Sequence, residues 1–178
     1  MIKLKTLLCE MTDNEIKRCL DKIHNKQYTF IAAGDNGKVY SIDGEDKVFK
    51  ITGDRDEYDI AEIIVNRHNE FTTFIPVYYV NGNNMYIVAN ADLLPDGLRK
   101  DIDMFMRDFA QFSRDNDGEV SVFDFLPNAS DRYMQLSNFL SAVEIDIKKL
   151  GIPEFDLDFD FRSDNLMMYN GKMVMVDW

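Results

Sequence analysis

Cysteine and histidine are both scarce, with Cys9 and Cys19 the only thiols and His24 and His68 the only imidazoles in 178 residues. Two cysteines cannot complete a zinc site alone, and neither histidine has the partner spacing of a metal site or a catalytic triad. Both histidines therefore read as surface or capping residues. No secretory leader is evident, so reduced thiols and a cytoplasmic location are expected. No apolar run nears the roughly 20 residues that span a bilayer, which leaves no expectation of a membrane partner. Basic charge is also short, at 20 Lys and Arg against 32 Asp and Glu, a formal charge of -12. Such a field repels phosphate backbones and argues against direct nucleic acid binding. Proline occurs four times, and no repeat or low-complexity linker interrupts the chain. What is plentiful is core-forming material: 46% hydrophobic and 12% aromatic residues suit a single domain over 1–178 with a substantial core.

The hydrophobic pattern changes period along the chain. Thr12 with Glu15 three residues later forms a capping box, and Ile16, Cys19, Leu20 and Ile23 then recur at helical spacing. Three β-prone runs follow, Tyr28 to Ala33, Lys38 to Ile42 and Lys47 to Thr52, separated by turn-forming residues and expected to pair as an antiparallel meander. Asp56 to His68 reads as a helix with Ile60, Ala61, Ile64 and Val65 inward. Strands are expected at Phe74 to Val80 and Met85 to Ala89 around the turn Asn81-Gly82-Asn83-Asn84. Helices are expected from Asp96 to about Ser113 and from Ser130 to Leu150, the second presenting Tyr133, Leu136, Phe139, Leu140, Val143 and Ile147 as one apolar face before Gly151 and Pro153 stop it. A last hairpin, Leu166 to Tyr169 and Lys172 to Val176, turns at Asn170-Gly171.

Three places could carry chemistry. Gly34-Asp35-Asn36-Gly37-Lys38-Val39-Tyr40 lies between two meander strands, where a flexible turn can fold amides over phosphate oxygens; an ordinary hairpin would look the same. Lys50 closes the third strand. Some 110 residues later, Asp160-Phe-Arg-Ser-Asp-Asn165 sets an Asp and an Asn five positions apart, followed by a hairpin and Asp177.

In this order the motifs resemble those of the protein-kinase family in its small, divergent bacteriophage form. Ala32, Gly34, Gly37 and Val39 match G-x-G-x-x-G-x-V with Ala in the first slot, and Lys50 matches the lysine of V-A-I-K. Asp160 and Asn165 match the Asp and Asn of H-R-D-L-x-x-x-N, and Asp177 the Asp of D-F-G. The resemblance covers most of residues 28–178 and implies an α+β, minimal bilobal kinase-like fold. Its parts would be a helical extension at 1–27, a five-stranded antiparallel lobe at 28–91 and a reduced, mostly helical lobe at 92–178. It implies ATP and Mg²⁺ as cofactors, with Gly34, Asn36, Gly37, Val39 and Lys50 on the nucleotide, and Asn165 and Asp177 on the metal. Asp160 would orient the acceptor hydroxyl, and Arg162 would neutralise the γ-phosphate or pair with Asp158 or Asp164. Glu62 is the first candidate partner for Lys50 and Glu57 the second, either being equally a solvated helix acid. Residues 88–92, with Asn90 at their centre, would be the hinge that receives adenine.

The departures are specific. Asp158 stands where the family has a histidine two residues before its catalytic Asp, and only Trp178 follows Asp177, so no activation loop is present in this sequence. The Val-Asp-Trp ending also resembles aminoglycoside and other small-molecule phosphotransferases. The resemblance implies ATP-dependent phosphorylation of serine or threonine on host proteins early in infection, inside the host cytoplasm, and the charge of -12 points to a substrate with a basic surface. Two alternatives stand beside it: a small-molecule phosphotransferase, and a catalytically quiet acidic protein that occupies a basic host surface. Met167, Met168, Met173 and Met175, around the last hairpin, read as core fillers.

Overall fold

The computed structural model describes residues 11–34, 36–67, 70–116, 118, 120–151 and 161–177. The chain divides into two units, one comprising residues 1–71 and 75–91 and the other 72–74 and 92–178.

The first unit opens with helix α1 (Asp13–His24), where the Thr12 hydroxyl accepts from the Glu15 amide and the Glu15 carboxylate accepts from the Thr12 amide. A cap of this kind stabilises a helix by about 1 kcal/mol. Strands β1 (Tyr28–Ala33), β2 (Gly37–Ile42) and β3 (Lys47–Thr52) form the expected meander and are joined by β4 (Val77–Asn81) and β5 (Met85–Ala89) in an antiparallel sheet of order β1-β2-β3-β5-β4. Alternation along the strands sends Ile42, Phe49, Met85 and Ile87 to one face, where Cys19, Leu20 and Ile23 of α1 pack on them. Tyr40 stacks on Phe49 at 4.9 Å between centroids, and Tyr28 meets both edge-on at 5.2 and 5.1 Å. Each such ring pair adds about 1 kcal/mol beyond its burial. Outside the sheet, Glu45 in the β2–β3 turn binds Arg18 and Lys22 of α1 at 2.7 and 2.6 Å. The opposite face carries Val39, Lys50 and Tyr86 in cross-strand register, and helix α2 (Arg55–Asn66) bonds to it.

Several boundaries differ from expectation by a few residues, and two of them have a plain physical cause. The strand expected from Phe74 begins at Val77, because Pro76 has no amide to give a ladder, and Phe74 instead forms a single parallel bridge to Met175 in the second unit. Helix α2 starts one residue earlier than expected because Asp54 caps it, accepting from the amides of Asp56 and Glu57.

The second unit is mainly helical. It contains the short strand β6 (Asp92–Leu93), α3 (Asp96–Asp115), α4 (Val122–Phe125), α5 (Met134–Leu150), and the hairpin β7 (Leu166–Tyr169) and β8 (Lys172–Met175), with sheet order β6-β7-β8. Phe105 of α3 sits at the centre of a ring cluster with Phe125, Tyr133 and Phe161 at 5.2, 5.4 and 6.3 Å. The expected face of α5 is largely buried, including Leu136, Leu140, Val143 and Ile147, although its first turn is a 3₁₀ turn capped by Ser130. Gly151, at φ +75°, ends α5 in the left-handed conformation that L side chains rarely adopt. Asn170 and Gly171, at φ +50° and +73°, make the tight turn of the last hairpin. Met173 and Met175 are core residues, as read from the sequence. The whole is α+β, a five-stranded antiparallel sheet followed by a mainly helical part, consistent with a small kinase-like fold. Among the described residues no helix is long and apolar enough to cross a membrane.

Candidate functional site

In the first unit the site is built around a buried ion pair. Lys50 on β3 and Glu57 in the first turn of α2 meet at 2.5 Å, their side chains only 12% and 3% exposed. Glu57 is a shared acceptor: Tyr86 on β5 donates its phenol to the same oxygen, and Thr52 donates its hydroxyl to the other at 2.5 Å. A buried carboxylate is tolerable only when its lone pairs are met, and these donors meet them. The partner is therefore Glu57 and not Glu62. The physical reason is helical phase: Glu57 precedes Ile60, Ala61 and Ile64 by three, four and seven residues and shares their inward face, whereas Glu62 falls on the exposed side. Burial and then the Glu62 carboxylate push the Tyr58 phenol up, which places Glu62 beside Tyr58.

The glycine-bearing turn is tied to the same helix start. Asn36 accepts from the Gly53 amide through its carbonyl at 2.5 Å and donates from its side-chain amide to the capping Asp54 at 3.3 Å. The Gly34 amide bonds the Gly37 carbonyl at 3.0 Å, closing the turn. At Gly37 a Cβ would lie 2.8 Å from the Ile51 carbonyl and 3.1 Å from Cε of Lys50, so the lysine stem runs directly beneath this glycine and no side chain fits there. At Gly34 a Cβ would meet nothing within 4 Å. Val39 is partly buried on the Lys50 face, and Asn90 is exposed just after β5.

The second unit places the other candidates at the start and end of the last hairpin. Ser163–Asn165 is a 3₁₀ turn in which the Asn165 amide bonds the Arg162 carbonyl at 3.1 Å. The Val176 amide bonds the Asn165 carbonyl at 2.9 Å, extending the β7–β8 ladder one step past Leu166–Met175 and bringing Asp177 next to the turn. Arg162 is exposed, and Asp164, one of its two suggested partners, is engaged by Arg99 of α3 at 3.1 Å. Asp103, Met106 and Arg107 of α3 and Arg162, Ser163 and Asp164 line an open concavity of about 400 Å³. Asp35, Asp158, Asp160, His68 and Trp178 lie outside the described residues. His24 is exposed in the last turn of α1, where a surface role was expected.

An amide oxygen and a carboxylate are hard donors of the kind Mg²⁺ takes, and Asn165 and Asp177 supply them. Among the described residues no cluster of three or more His, Cys, Asp or Glu could hold a metal ion. A two-donor set fits an ion that keeps waters and shares phosphate oxygens better than one needing a closed protein cage.

Three residues escaped the sequence reading. Tyr86 and Thr52 were visible only as strand residues, since their link to Glu57 depends on cross-strand register. Asp146, a carboxylate on the buried face of α5, is only 1% exposed. Its signal was present: it falls three residues after Val143 in the apolar stripe.

No protein-family model matches the chain, and no curated protein matches it. Among solved structures, the streptomycin–ATP–APH(2'')-IIa ternary complex is similar at 13% identity over 92% of this chain and 69% of that one, with a TM-score of 0.35. At that TM-score the likeness carries no weight, and the functional reading rests on the residues themselves.

Proposed function

We propose that the protein is an ATP- and Mg²⁺-dependent phosphotransferase. The observation that carries this reading is the buried Lys50–Glu57 pair beneath Gly37, in a chain that also carries the Asp160 to Asn165 loop and Asp177 in kinase order. Lys50 would hold the α- and β-phosphates, with Glu57, Tyr86 and Thr52 fixing its ammonium in place. Asn36 and Gly37 would bring backbone amides to the phosphates, and the segment around Asn90 would receive the base. Asn165 and Asp177 would hold the metal, which when bound neutralises charge on the transferred phosphoryl group. Asp160 would orient the acceptor hydroxyl, and Arg162 would offset charge near it.

For the acceptor, the motif resemblance and the charge of -12 favour a serine or threonine on a protein with a basic surface, chosen by docking. A bacteriophage setting, with a host protein as target, belongs to this same reading. One observation favours a second acceptor class. The concavity beside Arg162 and Asp164 has the size of small-molecule sites, which suits a small hydroxyl compound.

The test is incubation with γ-labelled ATP and Mg²⁺, with and without cell lysate, following label into protein and small-molecule fractions. Transfer by wild type and not by Asp160→Asn supports the reading, and the labelled fraction identifies the acceptor class. Equal label with Asp160→Asn, or none with wild type, overturns it, and salt-sensitive capture of a basic protein without label would favour the quiet binding protein.

A further inference from the structure

Asp146 is a buried carboxylate that the proposed chemistry does not use, and a charge taken out of water needs a reason. Its Oδ2 accepts from the amides of Thr72 and Thr73 at 2.6 and 2.9 Å and from their hydroxyls at 3.2 and 2.9 Å, while Oδ1 accepts from Lys149 at 2.6 Å. Burial pushes this carboxyl up, but the bonds from Lys149, Thr72 and Thr73 outweigh burial and hold it below the ordinary carboxylate range. It is charged at neutral pH and grips two consecutive residues, Thr72 and Thr73.

That segment is the neighbour of the end of β8. The Thr73 carbonyl accepts from the Met175 amide at 2.7 Å, and Phe74 bridges Met175 in parallel. One residue on, the Val176 amide bonds the Asn165 carbonyl at 2.9 Å. The strand end that delivers Asp177 is thus held through consecutive amides, one to Thr73 and one to Asn165. The Thr73 side of this clamp is itself fastened to α5 by a single carboxylate.

We propose that Asp146 is a positioning residue for the Asn165–Asp177 oxygen pair, fixing through Thr73 and Met175 where the Asp177 carboxylate stands relative to the Asn165 amide. The inference rests on the metal role given to those two residues. Groups bonded directly to metal ligands typically change metal affinity 10- to 100-fold when removed, and Asp146, which acts through Thr73 and Met175, belongs at the low end of that range. Asp146→Asn keeps the size but faces the Thr donors with a neutral group, one of whose atoms is a donor, so the clamp loosens without an added cavity.

The experiment is titration of Mn²⁺ with ADP, read by the enhancement of water-proton relaxation that a protein-held ion produces, on full-length chains confirmed as folded by circular dichroism at the assay temperature. Asp146→Asn should weaken Mn²⁺ about tenfold. A purely structural role would lower the melting temperature and leave the Mn²⁺ constant of the folded protein unmoved, and that result overturns the inference. If Asp146→Asn does not fold, Thr73→Val decides: it removes one hydroxyl and keeps both amides, should weaken Mn²⁺ about threefold, and overturns the inference if the constant is unchanged. Asp177→Asn separates the two levels. Wild type and Asp177→Asn holding Mn²⁺ equally would overturn the metal reading and this inference with it, whereas loss in Asp177→Asn with no change in Asp146→Asn overturns the positioning role alone.

Discussion

Replacing Glu57 with Gln removes one negative charge from a site where Lys50 is 12% exposed and the carboxylate itself 3% exposed. The variant is close in volume, so packing is little changed and the energetic effect comes from charge and hydrogen bonding. Three donors now point at the carboxylate, from Lys50, Tyr86 and Thr52. Gln offers one acceptor oxygen and turns a donor amide toward the remaining groups, so at least one of them loses its bond and Lys50 loses this carboxylate. Breaking one partner out of a buried pair typically costs about 3–5 kcal/mol. With a urea slope of about 2 kcal/mol per molar, a loss of about 3 kcal/mol moves the unfolding midpoint down by about 1.5 M. Glu62→Gln, on the exposed side of the same helix, should shift stability by less than about 0.5 kcal/mol. Replacing both partners, as Lys50→Met with Glu57→Leu, should recover much of the loss because no uncompensated charge remains. Urea denaturation followed by circular dichroism checks all three. A Glu57→Gln midpoint within about 0.3 M of wild type, or a Glu62→Gln loss equal to that of Glu57→Gln, would refute the assignment of Glu57 as the buried partner.

Gly37→Ala should destabilise by about 1–3 kcal/mol and weaken nucleotide binding, because its Cβ would meet the Ile51 carbonyl at 2.8 Å, while Gly34→Ala should be tolerated for want of any neighbour within 4 Å; melting curves on both separate them. The Arg18 and Lys22 partners hold the Glu45 carboxyl down to about 2, so its contribution is fully present above the ordinary glutamate range and fades as pH falls from about 4.5 toward 2. Glu45→Gln should therefore lower stability at pH 7 and leave a smaller difference near pH 2, measured as melting temperature against pH. Burial raises the Cys19 thiol, so a thiol reagent at pH 8 should label it only as the chain unfolds; rapid labelling of the folded Cys9→Ser variant would contradict its burial against Ile42 and Phe49.

Much of the fold was legible because two periods carry it. The capping box at Thr12 and Glu15, the alternation through Tyr28 to Thr52, and the Asn170-Gly171 turn each state a local rule that the tertiary structure obeys. The early end of a rule was less legible: Pro76 denies the ladder an amide, so the strand starts at Val77 although the apolar pattern begins at Phe74. Glu57 stood second to Glu62 as the partner of Lys50 because either could equally be a solvated helix acid, and no local motif near them sets one apart. The Glu57 side chain turns inward, as the phase of Ile60, Ala61 and Ile64 required. Asp146 illustrates the opposite limit. Its place in an apolar stripe was readable, but its partners, Thr72 and Thr73, lie more than 70 residues away, and no local pattern connects them.

The proposed phosphotransferase activity needs Mg²⁺-dependent ATP binding, with Lys50 proposed for the phosphates and Asp177 for the metal. Isothermal titration of ATP into the protein, with Mg²⁺ and then with EDTA, tests it most directly. Binding should require Mg²⁺, should be weakened at least tenfold by Lys50→Met and by Asp177→Asn, and should survive in Asp160→Asn. No heat at millimolar ATP with Mg²⁺, or equal binding by wild type, Lys50→Met and Asp177→Asn, would contradict it.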